Sequence, residues 1–183
     1  DVICVEADMR RPQLERALDV SAGPLGLVDV LEDHVDVDTV LEDVPLGLLV
    51  AVRHRSRRER LGRGARNGKP EVSESESASK KASVSVERAV HGSLRVLPVG
   101  KVPPNPADVF TRDRTVELLD QLRKRAQYVV IDTPPLLTFG DAFPVLSLAD
   151  NVVVVARDGQ ATRGIADSVR TTLAGLGVRK FSI

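Results

Sequence analysis

The chain has no tryptophan, one cysteine, one methionine and one tyrosine in 183 residues, and aromatics make up only 3% of it. A lone cysteine, Cys4, cannot close an internal disulfide. Its place inside an apolar run suits a packed, inert thiol in a reducing cytoplasm. Neither sign of charge dominates: Lys+Arg and Asp+Glu both number 26, so net charge argues for neither a nucleic-acid nor a membrane partner. No nucleic acid is expected. No apolar run approaches the ~20 residues that span a bilayer. His34, His54 and His91 are scattered without ligand spacing, which gives no ground for a zinc site. A phosphate-cradling G-x-x-x-x-G-K-[ST] loop is also missing.

What is present is a soluble globular composition, with 42% hydrophobic and 28% charged residues, and enough length for one core-bearing domain. Val129-Val130-Ile131-Asp132-Thr133-Pro134-Pro135 is the most informative stretch. An apolar, β-rich run ends in a carboxylate, and two prolines stop the strand. Ligands of open α/β sheets bind at the carboxyl ends of parallel strands. An acid there can hold a metal ion or its water shell beside a phosphate; an Asp-containing turn is the plainer alternative. Val2-Ile3-Cys4-Val5 is a second apolar run, and it leads into Glu6-Ala7-Asp8-Met9-Arg10-Arg11-Pro12. Carboxylates at i and i+2 share a face if the strand geometry persists.

Strands alternate with amphipathic helices, which predicts a parallel sheet with crossover helices. After the first strand, residues 13–18 form a helical turn, and 25–31 and 37–41 short helices. Strands are expected at 48–52, 94–98, 128–132 and 151–156. Asp113 can cap a helix reaching about residue 126, with Val116, Leu119, Leu122 and Ala126 on one face. Further helices are expected at 143–148 and 163–173, the latter with Ile165, Val169 and Leu173 on one face and Gly175 near its end. Residues 53–92 break the rhythm with an arginine-rich run and then serines interleaved with Glu and Lys. That composition buries too little apolar surface to offset its ordering entropy and predicts a disordered insertion. The chain opens directly into a strand and stops as another begins, so a piece of a larger domain is expected.

Val2 to Pro12 resembles the Walker A′ motif of bacterial tyrosine kinases, the polysaccharide-biosynthesis autokinases related to MinD-type P-loop ATPases. Val129 to Pro135 resembles their Walker B motif. Leu97-Pro98-Val99-Gly100 with Pro104-Asn105-Pro106 is similar to a further family segment, and Gly140-Asp141-Ala142 and Val154-Val155-Ala156-Arg157 follow in the family's order. The resemblance spans nearly all of the chain outside residues 53–92.

This resemblance implies an α/β fold, a three-layer P-loop NTPase-like domain with a mostly parallel sheet, truncated at both ends, its phosphate loop lying upstream. It implies Mg-ATP as cofactor and tyrosine autophosphorylation that regulates capsular or extracellular polysaccharide. The implied partners are a membrane chain-length-determinant (Wzz-like) protein or domain and further copies of the kinase, at the inner face of the plasma membrane. By the same likeness, Asp132 orders Mg²⁺ and Asp8 contacts the metal and activates the attacking hydroxyl. Glu6, where the family more often has Asp, together with Arg10 and Thr133, would serve the cofactor. Asp141 is expected to cap the helix at 143–148 or touch nucleotide, and Asn105 to shape a rigid turn. Tyr128, the only tyrosine, is expected to be packed and not to be an acceptor. A MinD/ParA-type ATPase switch and a non-catalytic adaptor are the competing readings; the segment at 97–106 favours the kinase, and Glu6 and the missing tyrosine cluster favour the adaptor.

Overall fold

A computed structural model of the chain describes residues 1–32, 34–45, 92–157, 159 and 161–182. The strand expected at 48–52, residues 53–91 of the expected insertion, His54 and His91 lie outside the described residues.

The first strand, β1 (Val2–Glu6), is central. It pairs in parallel with β3 (Leu94–Leu97) on one side and with β4 (Tyr128–Asp132) on the other. A two-residue strand, β2 (Glu42–Asp43), adds antiparallel to β3 and completes the order β2-β3-β1-β4. β5 (Val152–Val153) and β6 (Phe181–Ser182) form a separate parallel pair. The fold is therefore α/β with a mostly parallel sheet, as expected, but the strand foreseen at 151–156 is short and stands in a second sheet.

Alternation along β1 decides which face is covered. Ile3 and Val5 point into the main core with Leu27, Leu31, Leu97 and Leu122, whereas Cys4 and Glu6 point to the opposite face. Their register partners Val130 and Asp132 share that second face, where Tyr128 and Val130 are exposed at 62% and 54%. Tyr128 is thus not packed as expected. Its ring lies on β4, the last strand of the sheet order, with no neighbouring strand to cover it among the described residues.

The helices come from apolar stripes of limited length. α1 (Leu14–Leu18) and α2 (Leu27–Leu31) fall within their expected ranges, and residues 37–41 yield only a 3₁₀ turn, Val37–Thr39. α3 (Arg112–Arg123) starts after Thr111, so Asp113 lies in its first turn, favouring the helix dipole without capping it. Its buried residues are Thr115, Leu118, Leu119 and Leu122, while Val116 is 37% exposed, so the helix is rotated from the expected phase. Thr115 can be buried because its hydroxyl donates to the Thr111 carbonyl at 2.6 Å. α4 (Phe143–Leu148) follows β4, and α5 (Arg163–Gly175) packs Val169 and Leu173 with Val152 in a second small core, leaving Ile165 exposed.

One close approach positions the loop after β3. The backbone N–H groups of Leu27 and Val28 donate to the carbonyls of Pro98 and Val99 at 2.7 and 3.1 Å. Asp29 accepts from the Gly26 N–H at 2.9 Å. A Cβ on Gly26 would collide with the Gly100 nitrogen and the Pro98 carbonyl, and Gly100 itself adopts φ +74°. The Leu-Pro-Val-Gly segment therefore seats the start of α2 backbone to backbone.

Candidate functional site

β1 and β4 end side by side. Glu6 faces Asp132 in register, and the Ala7 N–H donates to the Asp132 carbonyl at 2.8 Å, which extends the pairing one residue beyond the strand. Glu6, Asp8 and Asp132 are thereby gathered at the carboxyl edge of the sheet, where the sequence placed them.

The three acids have different surroundings. Glu6 is fully buried. One of its carboxylate oxygens accepts the backbone N–H of Gln13 at 2.7 Å and that of Leu14, while Oε1 is buried with no hydrogen-bond partner. Burial pushes the Glu6 carboxyl up, the two backbone bonds oppose the shift, and the charges of Asp132 and Asp8 add to it. The structure thus gives Glu6 a structural task in place of the expected cofactor contact: it satisfies the free N–H groups at the start of α1, where Gln13 supplies no side-chain cap. The signal in the sequence was an acid seven residues ahead of an uncapped helix start.

Asp8 is partly buried. Its Oδ1 accepts the backbone N–H groups of Arg10 and Arg11 at 3.1 and 3.0 Å. Asp132 is exposed at the strand end, and its carboxyl is held above the usual aspartate range by partial desolvation and then by the Asp8 charge, against a backbone hydrogen bond from Thr133. Cys4, on the same face, is half-buried; desolvation and then Asp132 push its thiol up, consistent with an unreactive group.

Arg10 does not reach toward these acids with its side chain. Its guanidinium forks onto Asp141, with Nε to Oδ2 at 2.5 Å and Nη2 to Oδ1 at 3.1 Å, and lies 4.2 Å from the centre of the Phe139 ring. The Asp141 hydrogen bond is the main cause of the raised Arg10 pKa. Asp141 therefore does not cap α4, which begins after Ala142 without a side-chain cap. Phe139 was missed in the sequence. It arrives because the chain doubles back at Pro135, whose carbonyl accepts from Thr138 and Phe139 at 3.0 and 3.2 Å. Thr133 is half-buried in this turn, and Asn105 donates from Nδ2 to Asp108 at 2.7 Å, the turn-shaping role expected of it.

Among the described residues, no three His, Cys, Asp or Glu side chains converge as a self-sufficient metal site. Two carboxylates are nevertheless what Mg²⁺ commonly takes from a protein, the rest of its shell being water and substrate phosphate. Asp8 and Asp132 fit that donor set: they are close enough for one to raise the other's pKa, and a divalent cation relieves that repulsion.

The chain is 29% identical over 90 residues to the tyrosine-protein kinase CpsD of Streptococcus agalactiae, a match covering 49% of this chain and 39% of that protein. It is 38% identical over 71 residues to the tyrosine-protein kinase etk of Escherichia coli K12, covering 39% and 10%. Its sequence relatives are bacterial tyrosine-protein kinases. The kinase matches are partial: this chain spans well under half of the length of these curated relatives. Among solved structures, the kinase domain of Escherichia coli tyrosine kinase ETK superposes over 99% of this chain and 52% of its own, with a TM-score of 0.68 at 23% identity. The VpsO kinase domain gives 0.66 at 20% identity over 98% and 66%. The kinase domains therefore share this fold. No protein-family model matches the chain.

Proposed function

We propose that this chain is part of an ATP-dependent protein-tyrosine autokinase that serves capsular or extracellular polysaccharide synthesis and export. The observation that carries this reading is the delivery of Asp8 and Asp132 to one edge of a parallel sheet by adjacent strands, in a chain whose relatives are tyrosine kinases. Asp132 and Asp8 would hold Mg²⁺, with Thr133 fixing the Asp132 carboxylate through its backbone N–H. Bound there with ATP, the metal supplies charge neutralisation and alignment of the transferred phosphoryl group. Asp8, held on one oxygen by two backbone N–H groups, has its second oxygen available to orient an attacking hydroxyl. The sequence contains no phosphate-cradling loop, so these residues account for the metal side of such a site.

Among the described residues no helix is long and apolar enough to cross a membrane. We place the kinase in the cytoplasm, at the membrane's inner face, through a chain-length-determinant partner and further copies of itself. The test is tyrosine phosphorylation of the full-length protein by Mg-ATP, read with anti-phosphotyrosine antibody and mass spectrometry. Asp132→Asn and Asp8→Asn should each lower the rate by about 10²–10³, the usual cost of losing one preorganised electrostatic contact. A correctly folded Asp132→Asn protein that phosphorylates at the wild-type rate would overturn the assignment.

A further inference from the structure

Arg10 joins the two loops that carry the acids. Its backbone N–H holds Asp8 Oδ1, while its guanidinium grips Asp141, 131 positions away in sequence, and stacks on Phe139. Asp141 is only 7% exposed, and the loop bearing it starts at Asp132. We propose that Arg10 is a positioning residue for the metal-binding carboxylate of Asp8, acting through Asp141 to fasten the loop after β1 to the loop after β4. This inference rests on the metal reading given above.

The geometry favours positioning over direct anion binding. Both ends of the guanidinium fork are engaged by one carboxylate, and the aromatic ring takes up one face, so the charge is already matched inside the protein. An exposed ion pair could be lost at little cost. Here one partner is buried, the pair is bidentate, and the residue that forms it is also a hydrogen-bond donor to Asp8. Rotating Arg10 out of its clasp must therefore move the backbone that orients Asp8. Lysine keeps the charge but has neither the planar fork nor the stacking surface.

The experiment is a Mn²⁺ titration of the full-length protein in the presence of ADP, followed by electron paramagnetic resonance. Circular dichroism and metal-free melting serve as folding controls. Arg10→Gln and Asp141→Asn should each weaken Mn²⁺ binding by about 10–100-fold, the usual effect of disturbing groups that orient metal ligands. The double variant should be no weaker than either single one, because both remove the same clasp. Arg10→Lys, the variant least disturbing to the fold, should also bind less tightly than wild type.

If Asp141→Asn binds Mn²⁺ as tightly as wild type while Arg10→Gln does not, Arg10 acts on the ligand directly and the inference fails. Wild-type binding by both variants overturns it as well, leaving the metal site intact. Absence of Mn²⁺ binding by the wild-type protein overturns the metal reading and the inference together.

Discussion

Glu6 and Asp132 stand opposite one another across β1 and β4, yet one carboxylate is sealed from solvent and the other is open to it. The chain after β1 folds back so that Gln13 and Leu14 present their backbone N–H groups to Glu6. No such cover reaches Asp132. Two acids in register thus divide between holding a helix and facing a ligand.

This division sets a pH dependence. Burial holds the Glu6 carboxyl above its ordinary value, so between the unfolded and folded pKa the native state binds more protons than the unfolded chain. Stability from this group is full below the ordinary glutamate pKa and is lost as pH rises through the raised one. Glu6→Gln, which mimics the protonated acid and keeps an acceptor for both N–H groups, should flatten the melting temperature over that acid range. Glu6→Ala strands two donors and should cost roughly 1–3 kcal/mol for each one left buried. Melting curves from pH 4 to 8 measure both effects; an unchanged pH profile in Glu6→Gln would show that this carboxyl does not carry the shift.

Asp132 should titrate above the usual aspartate range in the metal-free protein. Its shift comes first from desolvation and then from Asp8, so Asp8→Asn should lower its pKa without restoring the ordinary value. Side-chain carboxyl NMR titration reads this directly. An Asp132 pKa insensitive to Asp8→Asn would mean that the two acids are too far apart to share a cation.

Gly100→Ala should destabilise the fold. The residue sits at φ +74°, and its new Cβ would lie 2.5 Å from the Gly26 nitrogen and 2.9 Å from Asp29 Oδ2. The left-handed backbone alone costs roughly 1–2 kcal/mol in an L-residue, or about 2–8 °C of melting temperature in a chain of this size. Hydrogen exchange at Leu27 and Val28 should quicken if the clasp with Pro98 and Val99 is what loosens. A melting point equal to wild type would show that the approach relaxes freely.

The phase of α3 has its own test. Leu122→Ala, at a fully buried position, should cost about 2–5 kcal/mol. Val116→Ala, on the exposed side, should change stability by roughly 0.5 kcal/mol or less. Chemical denaturation of the two variants compares them, and equal losses would return the helix to the orientation expected from its apolar spacing.

The legible parts of the fold were those carried by continuous local pattern. The apolar runs of β1, β3 and β4 and the stripe of Val169 and Leu173 in α5 emerge from residues close in sequence. Their ends also delivered Asp8 and Asp132 to one edge, which is why the candidate metal carboxylates could be named in advance. The phase of α3 was hidden because its buried face includes Thr115, whose hydroxyl is satisfied by its own helix. β2 consists of two acids and owes its extended form to main-chain pairing with Arg95 and Val96. The Arg10–Asp141 clasp depends on a turn at Pro135 and a contact across most of the chain, and no local pattern encodes either. Glu6 was misassigned because glutamate is seldom fully buried unless paired, and its partners here are backbone groups.

The pairing of β1 with β4 also bears on how faithfully the chain folds. Val-Ile-Cys-Val and Tyr-Val-Val-Ile carry apolar residues on both faces, so hydrophobicity alone would scarcely distinguish the native alignment from one displaced by a single residue. A one-residue slip of β4 inverts its faces and drives Asp132 toward the layer occupied by Ile3 and Val5. An unpaired carboxylate there carries a penalty of several kcal/mol. The acid at the strand end thus proofreads strand alignment during folding, before any ligand arrives.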